Sequence, residues 1–423
     1  MSNEPENRTP EETARPDLEV DQYLYSLFSP RTSEPEPQEE PEPEAPEKPS
    51  RIGQTLRAHW RFLLLIFLAA LAICVACLLI FGGRRLTGRV ERVLRYSGEQ
   101  TVFSLDAHSS NRYRSFRGGL AVASSDGLQC FDADGAQTAL VQSSFDNPVV
   151  LCGDNVALGY SVGGSALCTA HYSKGEQLDL TIPGTLIDAD LSDDGYICCA
   201  SSQSGYKTVL NVIDPSGAQT YSWFSSTHFF SQCAVSERGS VICAVALGLD
   251  GGRFASSAVT FDTSQSDPLA EFSLSGDLVY DLAFVGDRTL CAVGETALQF
   301  FEIDGSRSRQ YSYEGGELLH YDLCGDGFVA IVCNMNQAGS RYRIATVSTG
   351  GSELASLSLD ETVQDISANG RYLAVLTSGG LRVYDSRLRL CLSEDDVGFA
   401  TRVCVQRDGA ALLIDGSTAR RVS

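Results

Sequence analysis

Four stretches of this chain have residue types and spacings that could carry chemistry. Gly159-Tyr160-Ser161-Val162-Gly163 has the spacing of a nucleophile elbow, in which a strained turn between a strand and a helix lifts a serine hydroxyl above an α/β sheet. Asp190-Leu191-Ser192-Asp193-Asp194-Gly195 and Asp132-Ala133-Asp134-Gly135 distribute carboxylates around a turn glycine, as calcium loops do. Cys198-Cys199 sets two thiols side by side, where a vicinal disulfide could join them.

Each of these needs an element to position it, and the flanking sequence supplies a different one. Residues 155–158 read as a strand, but Gly163 to Cys168 reads as a hairpin into another strand rather than the helix an elbow requires. The loop begun at Asp190 has Ser201 at its twelfth position, where a helical calcium loop closes with a bidentate Glu, so both acidic stretches read as turns between strands. Neighbours on a strand point to opposite faces, which leaves Cys198 and Cys199 unlinked. The five His, at 59, 108, 171, 228 and 320, show no metal-ligand spacing. The expectation is therefore no catalytic residue, no cofactor and no metal ligand.

The elements are organised around Phe62 to Phe81, twenty residues without a charge, amide, hydroxyl, Gly or Pro. At about 1.5 Å of rise per residue, a helix of that length matches the hydrocarbon core of a bilayer. The reading is an anchor helix over 56–84 with its span at 62–81. No cleavable signal peptide precedes it, because the apolar run is too long and too far from Met1, so it would serve as an uncleaved signal anchor.

Residues 1–55 form a Pro- and Glu-rich tail, with ten of the fourteen Pro in the first fifty residues, and such a composition predicts disorder. One apolar island interrupts it. Val20, Leu24, Leu27 and Phe28, with Tyr23 among them, fall on one face of a short helix whose first turn holds Asp17, Glu19 and Asp21. This is a candidate docking motif for a cytosolic protein, or else a chance cluster in a tail.

Charge is distributed unevenly. Residues 51–95 carry eight Arg and one Glu, whereas residues 96–423 carry 39 acidic and 20 basic side chains. The acidic balance argues against nucleic acid as a partner. The arginines on the two sides of the span, Arg51, Arg57 and Arg61 against Arg84, Arg85, Arg89, Arg92 and Arg95, slightly favour the large domain inside the cell. Twelve of the fourteen Cys are scattered through that domain, mostly within apolar strand-like runs such as Val241-Ile242-Cys243-Ala244-Val245, and read as small buried hydrophobes.

From residue 96 the chain is all-β, with short apolar runs broken by Asp, Gly, Ser and Asn. Phe131-Asp132, Ile213-Asp214, Phe261-Asp262, Ile303-Asp304 and Tyr384-Asp385 each close a run, with similar endings at Tyr172-Ser173, Val347-Ser348 and Val422-Ser423. The period is about 42 residues, which is the length of a propeller blade. A second marker runs in phase: the tight turns Gly153-Asp154-Asn155, Asp193-Asp194-Gly195, Glu237-Arg238-Gly239, Gly286-Asp287-Arg288, Asp326-Gly327, Asn369-Gly370 and Asp408-Gly409. First strands are expected near 113, 149, 187, 231, 279, 319, 363 and 400. The fold class is thus a β-propeller over 96–423 with eight blades, or seven if a terminal unit is irregular. The last unit has room for three strands, and Val102 to Leu105 could supply its missing outer strand.

With the repeat in place, the chain resembles the single-pass, membrane-anchored β-propeller proteins of bacteria that have no assigned function. The resemblance spans about residues 95–423 and rests on Asn147-Pro148-Val149-Val150, Gln310-Tyr311-Ser312-Tyr313 and the phased Asp-Gly hairpins. Propellers of the quinoprotein and WD-repeat kinds share the hairpin chemistry, but quinoprotein dehydrogenases carry a Trp motif in every blade, and this chain has only Trp60 and Trp223. The resemblance implies an anchored propeller outside the cell, with the N-terminus cytoplasmic; the charge bias leaves a cytoplasmic propeller as the alternative.

Three functions are consistent with these features. The first is a non-catalytic scaffold binding an envelope protein or glycan. The second is a glycan-active or redox enzyme that uses the propeller channel, which carboxylates at the channel mouth would favour. The third is a signalling adaptor centred on the tail.

Overall fold

The computed structural model describes residues 102–423 apart from 107, 109, 174–176, 275–276 and 337–340. The tail motif (Val20, Tyr23, Leu24, Leu27, Phe28) and the apolar segment from Phe62 to Phe81 lie outside the described residues. Among the described residues no helix is long and apolar enough to cross a membrane.

The described chain is all-β: eight four-stranded antiparallel sheets, each a meander of strands A to D. Blade 1 comprises Arg112–Phe116, Gly119–Ser124, Gly127–Phe131 and Gln137–Gln142. The A strands of blades 2 to 8 are Pro148–Cys152, Thr185–Leu191, Phe229–Val235, Val279–Phe284, Glu317–Gly325, Val363–Asn369 and Arg402–Val405. These starts fall within two residues of the expected ones, and the count is eight.

The eighth sheet is built from both ends of the domain. Val102–Ser104 pairs antiparallel with Thr418–Val422, so the first strand of the chain is strand D of the last blade. Phe103, fully buried, packs edge-on against Phe131 of blade 1 at 6.2 Å between centroids. This joint removes the free sheet edges that an open ring would leave.

The core consists of eight apolar layers, one between each pair of neighbouring blades. B and C strands are covered on both faces, which is why Ile197–Ser202 and Thr208–Ile213 read as continuous apolar runs. D strands face solvent on one edge and alternate, as in Gln177–Thr181. Cys198 and Cys199 illustrate the consequence: the first belongs to the layer between blades 3 and 4, the second to that between blades 2 and 3. Both are free thiols, as are the ten other Cys among the described residues.

The strand-ending aspartates have a specific job. Oδ1 of Asp132 accepts the N–H groups of Asp134 and Ala136 at 3.0 and 2.9 Å, and Asp214 and Asp385 repeat the pattern two and four residues on. A short acceptor side chain thereby closes these C–D turns. The A–B turns also lie where the sequence places them. Only those at 117–118, 326–327 and 370–371 are two-residue links; the others run three to five residues, with Gly195, Gly239 and Gly409 supplying positive φ.

Because a meander reverses at each turn, the A–B and C–D turns share one face of the ring and the B–C and D–A connections the other. The chain enters on the A–B side, where the Val102 carbonyl sits beside Gly135 of a C–D turn. It passes to the opposite side, where the Leu105 N–H donates to the Ser417 carbonyl of a B–C turn at 2.8 Å.

Candidate functional site

The axial channel is walled by the eight A strands, and its polar side chains are held by a repeated backbone defect. In blades 3 to 7 the A–B register slips at one equivalent place, after Leu186, Phe230, Val279, Leu318 and Val363. A bulge re-aims the side chain that follows it. Those side chains are Asp188, Gln232, Asp281, His320 and Asp365.

The carboxylates reach to the next blade. Asp188 and Asp190 accept the N–H groups of Cys233 and Val235, each at 2.9 Å; Asp365 accepts that of Val403 at 2.8 Å; and Asp322 accepts that of Ala368 at 2.9 Å. The Ser367 hydroxyl oxygen does the same for Val405 at 3.1 Å. Between blades 8 and 1 the link is Gln406, whose amide donates to the Gly119 carbonyl and accepts from the Ser115 hydroxyl. Antiparallel sheets leave inner-strand N–H groups unpaired on the channel side, and these side chains satisfy them.

Other contacts cross the ring instead of passing along it. Arg114 of blade 1 meets Asp322 of blade 6 at 3.2 Å, and the Asn369 amide of blade 7 donates to Ser115 of blade 1 at 2.8 Å. At the A–B mouth, Arg407 of blade 8 lies 3.7 Å from Asp154 of blade 2 and 3.9 Å from Asp326 of blade 6. Burial pushes Asp193, beside this group, upward.

Burial dominates the protonation of the wall. It raises Asp188 and Asp190 to about 7 and Asp365 to about 6, against the lowering effect of the N–H groups each accepts. Asp281 is raised for the same reason. The Cys324 sulfur, where ionised, and the Asp322 carboxylate beside it push the Arg114 guanidinium upward. Cys324 touches channel solvent, yet the surrounding protein pushes its thiol up to about 12.

The stretches that suggested chemistry serve other ends. Ser161 ends a strand that turns back into Ala166–His171, and its oxygen accepts the N–H groups of Asp146 and Asn147 at 3.1 and 3.3 Å, so no nucleophile elbow forms. Tyr160 of the same stretch donates to Asp188 at 3.1 Å. Asp190 is committed to Val235 and Asp132 to its own turn. Among the described residues no group of three or more His, Cys, Asp or Glu could hold a metal ion. The channel aspartates were legible in principle, as an apolar residue, one arbitrary residue and a polar one opening blades 3, 5 and 7 (Leu186/Asp188, Val279/Asp281, Val363/Asp365), but a bulge looks like a broken alternation in sequence.

The two faces differ in character. The B–C turns and D–A connections carry eleven carboxylates against Lys207 and Arg341, whereas the A–B and C–D turns carry thirteen against nine cationic side chains. The B–C side also holds exposed Tyr206, Phe224, Phe229, Leu249, Phe254 and Tyr280, all on blades 3 to 5, and Phe399 on the connection into blade 8. Tyr206 and Phe224 pack together with ring centroids 5.0 Å apart. On the A–B side a groove of about 540 Å³ lies between blades 2 and 3, lined by Asp154, Gln177, Asp193 and Asp214 among others.

Two solved structures similar to this chain are both of low identity. BamB from Moraxella catarrhalis is 13% identical, with 76% of this chain and 97% of that one covered at a TM-score of 0.47. KlHsv2 with its loop 6CD replaced by a Gly-Ser linker is 12% identical, covering 56% and 78% of the two chains at a TM-score of 0.41. No curated protein matches the chain. The model of the Family of unknown function (DUF5711) matches residues 91–394, most of the propeller, and the chain belongs to that family.

Proposed function

We infer that this protein is a non-catalytic binding scaffold, held at the cell membrane by its N-terminal apolar segment, with the propeller outside the cell and the acidic tail in the cytosol. The observation that carries the binding role is the gathering of exposed aromatic and aliphatic side chains on the B–C side of blades 3 to 5. Contiguous exposed apolar surface on a well-packed domain marks an interaction site. The first described strand begins at the opposite face, with the Val102 carbonyl beside Gly135. Replacing Phe224 and Phe229 with Ser should release the protein from a larger assembly on native gels; wild-type protein migrating at its own mass would sink the reading. Protease shaving of intact cells, with blotting for both ends, tests the topology, and the expected result is loss of the propeller with survival of the tail. Deleting residues 17–30 should abolish any cytosolic contact while leaving the envelope assembly intact.

A second reading, an enzyme of glycan-active or redox type, draws on the channel carboxylates with raised proton affinity, a property typical of acid–base groups. Against it, Asp188, Asp190, Asp322 and Asp365 each accept a backbone N–H of the next blade, which gives them a structural task.

A further inference from the structure

Blade 4 departs from the other seven in one respect. Its B and C strands, Val241–Asp250 and Arg253–Asp262, are ten residues each, against four to seven elsewhere. Pairing with strand A stops at Phe229↔Leu247 and pairing with strand D at Ser257↔Ser273. Beyond those points Gly248↔Ala255, Leu249↔Phe254 and Asp250↔Arg253 pair only with each other, around Gly251 and Gly252 at φ +56° and +84°. The result is a two-stranded ribbon standing above the B–C face, with no strand beside either edge among the described residues. Leu249 and Phe254, paired near its tip, are 70% and 64% exposed.

We propose that this ribbon is a docking edge for an extended, cationic segment of a partner protein. The proposal rests on the scaffold reading and specifies the partner's chemistry. Edge strands are usually blunted by charge, Pro or a bulge; here the charged residues of the unpaired stretch, Asp250 and Arg253, are paired at its tip, and Gly248, Leu249, Phe254 and Ala255 below them leave a surface suited to strand addition. The sign of the partner follows from the face around it. Eleven carboxylates stand on its turns and connections against two cationic side chains there; Lys207 is occupied with the Thr227 carbonyl at 2.8 Å, and even with Glu314 and Asp395 paired to Arg343 and Arg382 and with Asp277 buried, the balance stays acidic. A second copy of this chain, or an anionic lipid surface, would bring like charge against like; a Lys- or Arg-bearing strand brings the complement.

The test is photo-crosslinking of the full chain in its own cells, with a photoreactive phenylalanine at Phe254, at Phe399 and, as a control, at Asp134 on the opposite face. The expected result is a protein adduct at Phe254, absent at Asp134, whose cross-linked segment has a clear excess of Lys and Arg. That segment, made as a peptide, should bind the full chain in detergent and lose at least tenfold in affinity when salt rises from about 50 to about 500 mM. The combined substitution Leu249→Ser and Phe254→Ser should produce a similar loss. An adduct to a second copy, to lipid or to a neutral or acidic segment overturns the proposal and leaves the scaffold reading standing, as does an adduct at Phe399 alone. Absence of adducts at both Phe254 and Phe399 overturns both.

Discussion

Arg114 in blade 1 and Asp322 in blade 6 form an ion pair of 3.2 Å across the axis of the ring, with three blade interfaces between them along the closing side. Asp322 is 2% exposed and also accepts the N–H groups of Cys324 and Ala368, whereas Arg114 is 40% exposed. The pair ties together blades that do not touch in sequence order. Arg114→Met leaves a buried carboxylate with two N–H donors and no counter-charge, a loss of about 2 kcal/mol once the solvent reaching Arg114 is discounted. Adding Asp322→Asn should restore most of it. Urea unfolding of the two single variants and the double variant gives the coupling; additive losses would remove the pair from any role in holding the ring.

The raised carboxyls give the propeller a pH dependence with a definite sign. Asp188 and Asp190 bind protons more tightly in the folded ring than in the unfolded chain, at about 7 against the ordinary aspartate 3.8. Their contribution is complete below about pH 4 and is lost as pH climbs through about 7. Asp188→Asn keeps an acceptor for the Cys233 N–H and removes the charge. It should raise stability at pH 8 by on the order of 2 kcal/mol, by less than half as much at pH 5, and hardly at all below about pH 4. Thermal unfolding across that range decides it, and a gain at pH 5 equal to that at pH 8 would refute the linkage.

Ring closure depends on a three-residue strand. Phe103, wholly buried in the layer between blades 8 and 1, should cost about 3 kcal/mol when cut to Ala, through lost apolar contact and the cavity left behind. Hydrogen exchange should quicken first in Thr418–Val422, which has only Val102–Ser104 on its outer side. Equal loosening of all eight blades would contradict a local joint.

Two buried threonines stitch neighbouring blades. The Thr260 hydroxyl donates to the Ile303 carbonyl at 2.7 Å and the Thr346 hydroxyl to the Ser386 carbonyl at 2.8 Å. Thr→Val at either site keeps the shape and leaves a carbonyl without that donor, a cost of roughly 1–2 kcal/mol. A pair of Thr→Val variants as stable as wild type would show that water or a shifted backbone replaces the hydroxyl.

Thiol reactivity should separate the two exposed cysteines. Cys324 and Cys391 both reach solvent, but burial holds Cys324 at about 12 whereas Cys391 is raised less, with its sulfur near the surface. Native-state alkylation at pH 8 should therefore mark Cys391 first, and the ten buried or half-buried thiols only after unfolding. Mass spectrometry of briefly labelled protein reads the order directly.

The repeat was visible in the chain because its markers are local. Asp132, Asp214 and Asp385 close turns with N–H groups two and four residues away, so their spacing had to appear in the sequence wherever a blade ends. The burial of the second and third strands on both faces leaves an equally local trace as apolar runs without alternation, and Cys198-Cys199 fell into place as two faces of one strand.

What the chain by itself determined was the module and its period, since both follow from short-range hydrogen bonding and strand patterning; the choice of eight copies over seven, and the pairing of Val102–Ser104 with Thr418–Val422 that completes the eighth, belong to the closed ring. Only the closed ring decided which side chains meet at the axis: Arg114 finds Asp322 because eight sheets wrap around one line and bring residues 208 positions apart into contact. The contrast between an acidic, apolar-studded face and its opposite arose the same way, from connections that are scattered along the sequence and become neighbours only when every second turn is carried to the same side.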